Sequence, residues 1–206
     1  MDIIRYADLK AAPWANGGGV TRQLAAGLGT AVTLGSGAKG DAWDWRISIA
    51  EVAKAGPFSP LPGIDRVLTI IDGDLVALTV DGVEHALEKY RTFKFSGDSD
   101  TSASLPTGAL MDLNVMTRRG AFKGYATILE LSKKRPHPVF AGQFAVLLQG
   151  QATAAPAADA AADDGGSEPG APVTLGRYDA VVGSEAAPEI SGRGFLAVLS
   201  IDPAGD

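Results

Sequence analysis

Val67-Leu68-Thr69-Ile70-Ile71-Asp72-Gly73-Asp74-Leu75-Val76-Ala77-Leu78-Thr79-Val80-Asp81-Gly82 holds two short apolar runs, parted by Asp-Gly-Asp and closed by a second Asp-Gly. Asp-Gly between such runs is the strongest short-range hairpin signal. Working outward, further strand candidates lie at 43–50, 92–96, 110–116, 125–131, 144–148, 173–175, 180–182 and 195–201. Glycine and proline break them up, and short strands at this density point to an all-β sandwich or barrel. Residues 50–55 carry the one hint of a helical turn, which Gly56-Pro57 ends.

The 206 residues, 46% of them hydrophobic, suffice for one domain or two small halves with a sizeable core. A net charge of −6 speaks against a nucleic-acid partner, which needs a basic face. The chain has no cysteine, so disulfides, thiol catalysis and thiolate ligands are excluded. Met1-Asp2-Ile3-Ile4-Arg5-Tyr6 lacks the basic start and apolar run of a secretory leader. No apolar segment approaches the ~20 residues that span a bilayer. These features predict a cytoplasmic protein without a membrane partner.

Residues 151–172 contain almost nothing apolar larger than alanine. Such a composition buries too little surface to offset its ordering entropy, so the segment is expected to be a flexible loop. The weak strands after it are too short to fold alone and are expected to complete a sheet begun before it. Strand spacing suggests two β units within a single domain, one at about 43–119 and one at about 125–201.

Period-two reading places Trp43, Trp45, Ile47 and Ile49 on one face, and Asp44, Arg46 and Ser48 on the other. Asp112, Asn114 and Met116 likewise share a face, opposite Leu113 and Val115. In a solvated sheet the polar faces would meet water; in a closed one they could face a cavity. Arg46 in a cavity would need an anion. That anion could be Asp112, making a structural pair, or a ligand carboxylate held by the guanidinium fork.

Pro13-Trp14-Ala15-Asn16-Gly17-Gly18-Gly19-Val20-Thr21-Arg22 adds three glycines that let backbone approach a ligand or a neighbouring strand. Trp14 could plug a core or stack on a ligand. Asn16 could serve an amide-like ligand end or an Asx-type turn before glycine. In the proline-rich stretch 57–66, Phe58 and Ile64 read as core wall, and Arg66 as a partner of Asp65 or Asp98.

Metal chemistry finds no footing, since His85 and His137 lie far apart without ligand spacing. No metal or other cofactor is expected. Nothing supports a Ser-His-Asp triad, and the glycine run lacks the Gly-Lys-Ser/Thr of a phosphate loop.

Three blocks together resemble the HutD/Ves family over about the first 120 residues. They are the stretch 13–22; Trp43-Asp44-Trp45-Arg46-Ile47-Ser48 continued through Gly56-Pro57-Phe58-Ser59 and Pro62-Gly63-Ile64-Asp65-Arg66; and Phe93-Lys94-Phe95-Ser96-Gly97-Asp98 joined to Asp112-Leu113-Asn114-Val115-Met116-Thr117-Arg118-Arg119-Gly120. Ala15 departs from the longer, commonly basic residue found there in the family. The resemblance implies a double-cupin (bicupin, RmlC-like) fold of two closely packed antiparallel β units, often as a homodimer. It also implies that Trp14, Asn16, Thr21, Arg22, Arg46, Ser48, Asp112, Asn114 and Arg118 line a ligand pocket. HutD members are associated with histidine utilisation, through a small ligand such as N-formimino-glutamate and a limit on pathway output. Ves members are linked to stress responses.

The leading expectation is therefore a metal-free protein that binds a small carboxylate and regulates metabolism. One alternative is a metal-independent enzyme, an isomerase or hydrolase, with Asp44, Asp98 or Asp112 as general base. A carboxyl of strongly raised pKa in the pocket would favour it. The other alternative is a pure interaction module.

Overall fold

The computed structural model describes residues 1–29, 31–35, 42–157 and 171–205. The chain forms two compact units. An N-terminal unit comprises 9–126 and 201–206, and a C-terminal unit comprises 1–8 and 127–200. Both are antiparallel β structures. Among the described residues a 3-10 turn lies at Tyr6–Asp8.

The strands, in chain order, are β1 (Ile3–Ile4), β2 (Ala12–Pro13), β3 (Gly19–Leu28), β4 (Ala31–Leu34), β5 (Trp45–Val52), β6 (Gly56–Pro57), β7 (Ile64–Asp72), β8 (Leu75–Val80) and β9 (Val83–Glu88). They continue as β10 (Thr92–Ser96), β11 (Thr101–Ser104), β12 (Leu110–Arg118), β13 (Phe122–Leu131), β14 (His137–Pro138), β15 (Gln143–Ala155), β16 (Val173–Leu175), β17 (Ala180–Val182) and β18 (Glu189–Pro203).

The N-terminal unit has two sheets. The larger runs β10-β7-β12-β5-β3-β2, with β4 also on β3, and the smaller runs β6-β11-β8-β9. The hairpin expected across Asp72-Gly73-Asp74 does not form: β7 pairs with β10 and β12 in the larger sheet, and β8 with β9 and β11 in the smaller. That turn instead carries the chain from one sheet to the other, with Gly73 at φ 81°, where an added Cβ would lie 2.8 Å from that of Leu110. The second Asp-Gly, Asp81-Gly82, closes the β8–β9 hairpin, with Val80 opposite Val83. Residues 50–52, expected in a helical turn, instead continue β5. Their alternation lets Ala50 and Val52 join the apolar core formed with Leu68, Ile70, Val76, Leu78, Ala103 and Leu110. That core occupies one end of the larger sheet's inner face. At the other end the same strands carry polar side chains.

In the C-terminal unit the sheet runs β1-β17-β15-β18-β13, with β14 on β18 and β16 on β15. The tail thus completes a sheet begun before the alanine-rich segment. Residues 151–155 of that segment are strand, because Ala152, Thr153 and Ala154 pair with Leu175, Thr174 and Val173. Small side chains fit the crowded interior there, and Ala152 and Ala154 are buried. Of the expected loop, 158–170 lie outside the described residues. Inward positions are aliphatic throughout: Ala145, Leu147, Val181, Ile190, Leu196 and Val198 form one cluster. Fully burying each larger side chain contributes ~1.5–3 kcal/mol. The chain's start is clasped to this unit by Asp179, which accepts from Arg5 Nη1 at 2.6 Å and from the amides of Tyr6 and Gly176 at 2.9 and 2.8 Å.

Candidate functional site

The N-terminal unit holds a cavity of about 580 Å³ over the polar half of the larger sheet's inner face, within the range of small-molecule sites. Cross-strand register arranges its floor in rows. In one row Phe95 of β10 pairs with Arg66 of β7, Arg66 with Met116 of β12, and Met116 with Arg46 of β5. In the next, Asn114 of β12 pairs with Ser48 of β5, and Ser48 with Gln23 of β3. In the third, Asp112 pairs with Ala50, and Ala50 with Thr21. Alternation then sends Arg66, Arg46, Ser48, Gln23, Asn114, Asp112 and Thr21 into one space, which all of them line.

Both guanidiniums rest on aromatic rings. The Arg46 Cζ lies 4.9 Å from the Trp43 ring centroid, and its Nη2 donates to Met116 Sδ at 3.7 Å. The Arg66 Cζ lies 4.9 Å from the Phe58 ring and 5.0 Å from the Phe95 ring. Such seats hold a planar cation with its donors turned outward. Arg66 is 9% exposed, and its Nε has no hydrogen-bond partner among the described residues. Burial pulls its pKa down to about 10, against the help of Asp112, and the like charge of Arg46 lowers it further. Arg66 therefore stays charged at neutral pH, at a cost an incoming anion would offset.

Asp112 is buried. Its carboxylate accepts from Asn114 Nδ2, and Asn114 Oδ1 accepts from Arg66 Nη2 at 3.1 Å. Burial raises the Asp112 pKa to about 7, opposed by the charge of Arg66 and by the Asn114 hydrogen bond. The ion pair weighed for Arg46 and Asp112 is thus replaced by a relay from Arg66 through Asn114. The sequence reading gave Arg66 to Asp65 or Asp98, but both of those acids pair with Arg119, at 2.8 and 2.7 Å.

Of the nine residues expected at a pocket, Trp14, Asn16, Thr21, Arg46, Ser48, Asp112 and Asn114 line this one. Trp14 Nε1 donates to Thr21 Oγ1 at 2.8 Å. Asn16 makes the Asx-type turn, its Oδ1 accepting from the Gly18 amide at 2.9 Å. The glycine run serves a neighbouring strand here: a Cβ on Gly19 would come within 2.3 Å of the Glu51 carbonyl oxygen on β5. Arg22 and Arg118 lie elsewhere. Arg22 points to the opposite face of β3 and pairs with Glu51, because one step along a strand reverses the side chain. Arg118 pairs with Asp44 at 2.7 Å and donates to the Trp43 carbonyl at 3.1 Å. The cavity further gathers Lys10, Gln23, Phe58, Arg66 and Met116. Arg66 and Met116 carried a signal in their alternation on β7 and β12; Lys10 and Phe58 arrive from loops without one.

The three carboxylates named as possible bases fare differently. Asp44 is held below its ordinary pKa by the Gly29 amide and by Arg118, and Asp98 by Arg119, the Gly63 amide and Ser96. Asp112 alone of the three lines the cavity. His85 packs against Phe93 in a tilted ring pair, centroids 4.4 Å apart, and His137 lies on β14 of the C-terminal unit. Among the described residues no group of three or more histidines and acids could hold a metal ion, and no helix is long and apolar enough to cross a membrane.

Comparison with known proteins joins this geometry to a lineage. An uncharacterized 21.2 kDa protein from the hutC 3' region of Pseudomonas putida is 36% identical over 117 residues, covering 56% of this chain. The chain spans 57% of that relative's length. The structure of HutD from Pseudomonas fluorescens SBW25 is similar at 25% identity and a TM-score of 0.71, covering 99% of each chain. A cupin 2 conserved barrel domain protein from Leptotrichia buccalis shares the fold at 12% identity and a TM-score of 0.55, covering 98% of this chain and 96% of its own. The fold is thus the double cupin. The sequence pattern of the HutD family matches residues 6–198, and the chain belongs to that family.

Proposed function

We propose that this protein binds a small carboxylate in the N-terminal unit's cavity, without a metal, and thereby regulates histidine utilisation. N-formimino-glutamate is the ligand we favour. The observation that carries this reading is the pair of aromatic-seated guanidiniums, Arg46 and Arg66, facing one cavity whose only lining carboxylate among the described residues is Asp112. Guanidinium forks match carboxylates in geometry and charge. Membership of the HutD family and the relative from the hutC 3' region support the metabolic setting.

Melting temperatures with millimolar N-formimino-glutamate, N-formyl-glutamate, glutamate, urocanate and formate test it, with Arg46→Ala as control. A ligand at 100 times its dissociation constant adds about 2.7 kcal/mol of stability. A shift with one ligand, lost in Arg46→Ala, is expected. No shift with any of them would overturn the assignment.

The enzyme reading keeps one observation in its favour, the Asp112 carboxyl raised to about 7 inside the cavity, where a general acid or base works best. Proton NMR of the bound ligand over hours separates the readings. Conversion that Asp112→Asn stops would make the site catalytic; an unchanged ligand would leave binding alone.

A further inference from the structure

We propose that the N-terminal unit carries a second binding site, a groove on the opposite face of its larger sheet that takes the phosphate group of a small metabolite. The site stands apart from the carboxylate cavity and does not depend on that reading.

The sheet places the groove. Cross-strand register pairs Lys94 of β10 with Val67 of β7, and Thr117 of β12 with Asp65 of β7. Alternation turns these four away from the face that carries Arg66 and Met116. The start of β13 passes over Val115 and Thr117, and Gly124 lets it lie close. An added Cβ there would come within 2.8 Å of Val115 Cγ1 and 3.2 Å of Thr117 Cγ2. At this crossing a space of about 370 Å³ opens, bordered by Asp65, Val67, Lys94, Thr117, Lys123 and Tyr125, within the range of small-ligand sites. Arg66 also borders it, but its guanidinium rests on the Phe58 and Phe95 rings and donates to Asn114 in the first cavity.

The polar groups of the groove suit an oxyanion. Thr117 is 2% exposed, yet its hydroxyl has no hydrogen-bond partner among the described residues. That oxygen lies 3.7 Å from where a Cβ of residue 124 would stand, so glycine leaves the space before it open. A buried hydroxyl without a partner is costly, and a ligand oxygen would satisfy it. Lys94 and Lys123 border the same space and pair with no carboxylate among the described residues. Lys94 Nζ lies 4.2 Å from the centroid of the Tyr125 ring, a seat that steadies the ammonium and leaves it N–H donors for an acceptor. The lining carboxylate, Asp65, is already answered by Arg119 Nε at 2.8 Å.

The type of cation chooses the anion. Guanidinium forks, as in the first cavity, match a flat carboxylate. Ammoniums are compact point charges with rotatable donors, which suit a tetrahedral phosphate approached from several sides. Lys94 from β10, Lys123 from β13 and the Thr117 hydroxyl from β12 come from three different strands around one space.

Amide shifts of the full chain, followed by proton–nitrogen NMR during titration with inorganic phosphate at constant pH and ionic strength, test this; acetate is the carboxylate arm. Saturable shifts at Thr117, Gly124 and Tyr125 are expected with phosphate, and weaker ones with acetate. Both lysines are exposed, so Lys94→Gln combined with Lys123→Gln should keep the fold while weakening phosphate at least ~10-fold. Thr117→Val, which keeps the shape and removes the hydroxyl, should weaken it about threefold. Shifts that stay linear with concentration, or that potassium chloride reproduces, would overturn the site as charge screening alone. Shifts confined to Asp112 and Asn114 and lost in Arg46→Ala would overturn it by placing the anion in the first cavity. Acetate saturating the three amides at lower concentration than phosphate would overturn the phosphate assignment. Failure of every carboxylate to protect the first cavity would remove the earlier reading and leave this one standing, because the two sites are read at different amides.

Discussion

Alternate positions of β15, β17 and β18 in the C-terminal unit bring Ala145, Leu147, Val181, Leu196 and Val198 into one aliphatic cluster. Alternate positions of β5, β7 and β12 in the N-terminal unit bring Arg46, Ser48, Arg66, Asp112 and Asn114 into one cavity. The backbone lattice is alike, antiparallel and pleated; the chemistry is opposite. One inner face is filled with side chains that lose nothing by leaving water. The other half-buries charges that lose a great deal. The difference teaches that one unit stores stability while the other gives some of it up to keep a polar space open, a trade seen where function needs strained or desolvated groups.

The sharpest way to break this comparison is Leu147→Ala. Leu147 is fully buried, and losing its side chain leaves a cavity costing about 3–4 kcal/mol. Urea denaturation at neutral pH should show it as a lower midpoint at unchanged slope. A loss under about 1 kcal/mol would mean that the C-terminal unit is not where stability resides.

Next in size is the pH behaviour of Asp112. Its pKa is about 7 folded against ~3.9 unfolded. The folded state therefore binds the proton more tightly than the unfolded state. Its stabilising contribution is fully present below about pH 4 and is lost as pH rises through about 7. Asp112→Asn removes this dependence. The variant should gain on wild type by a few kcal/mol between about pH 4 and pH 7, with little further change above that. Parallel stability curves for the two proteins would break the claim that the cavity carries a burial cost.

Arg66→Met follows. It exchanges a buried cation for an apolar side chain of similar length, but leaves the buried Asn114 Oδ1 without its donor and Asp112 without the charge that opposes its burial. The unliganded protein should lose about 1–3 kcal/mol of stability, while carboxylate binding weakens at least ~30-fold, about 2 kcal/mol. Binding that survives intact would move the anion site away from the double-arginine row.

Much of this contrast was legible beforehand. The β8–β9 hairpin at Asp81-Gly82 and the alternation of 43–49 and 112–116 follow from local rules, because a pleated strand permits only two faces; the turn at 72–74 was legible as a turn, but not that it leads into a second sheet. The alternation placed Arg46, Ser48, Asp112 and Asn114 on one side without any knowledge of neighbours. The partners were not legible. Arg66 meets Met116, and Met116 meets Arg46, only through the register of β7, β12 and β5, which is a long-range property. The alanine-rich 151–155 looked like loop because composition hides how tightly β15, β16 and β18 pack, where small residues are an advantage. Arg22 shows the limit of motif-based transfer. It sits one residue from Thr21, and that single step turns it away from the cavity.

The smallest effect belongs to Arg118, and it sharpens the comparison most finely. Arg118 ends β12, the strand that supplies Asp112 and Asn114, yet its side chain is half-exposed and pairs with Asp44. Exposed pairs of this kind contribute little, because water screens the charges and holding the side chains costs entropy. Arg118→Ala should therefore shift the melting temperature by less than ~2 °C and leave carboxylate protection unchanged. The contrast with Arg66→Met then isolates position from residue type: the same guanidinium matters within the cavity row and not beyond the strand's end. If Arg118→Ala instead abolished ligand protection, the site would have to reach past the cavity wall to Asp44. The floor of the functional unit would then be defined by the motif that contains Arg118 rather than by the face of the sheet.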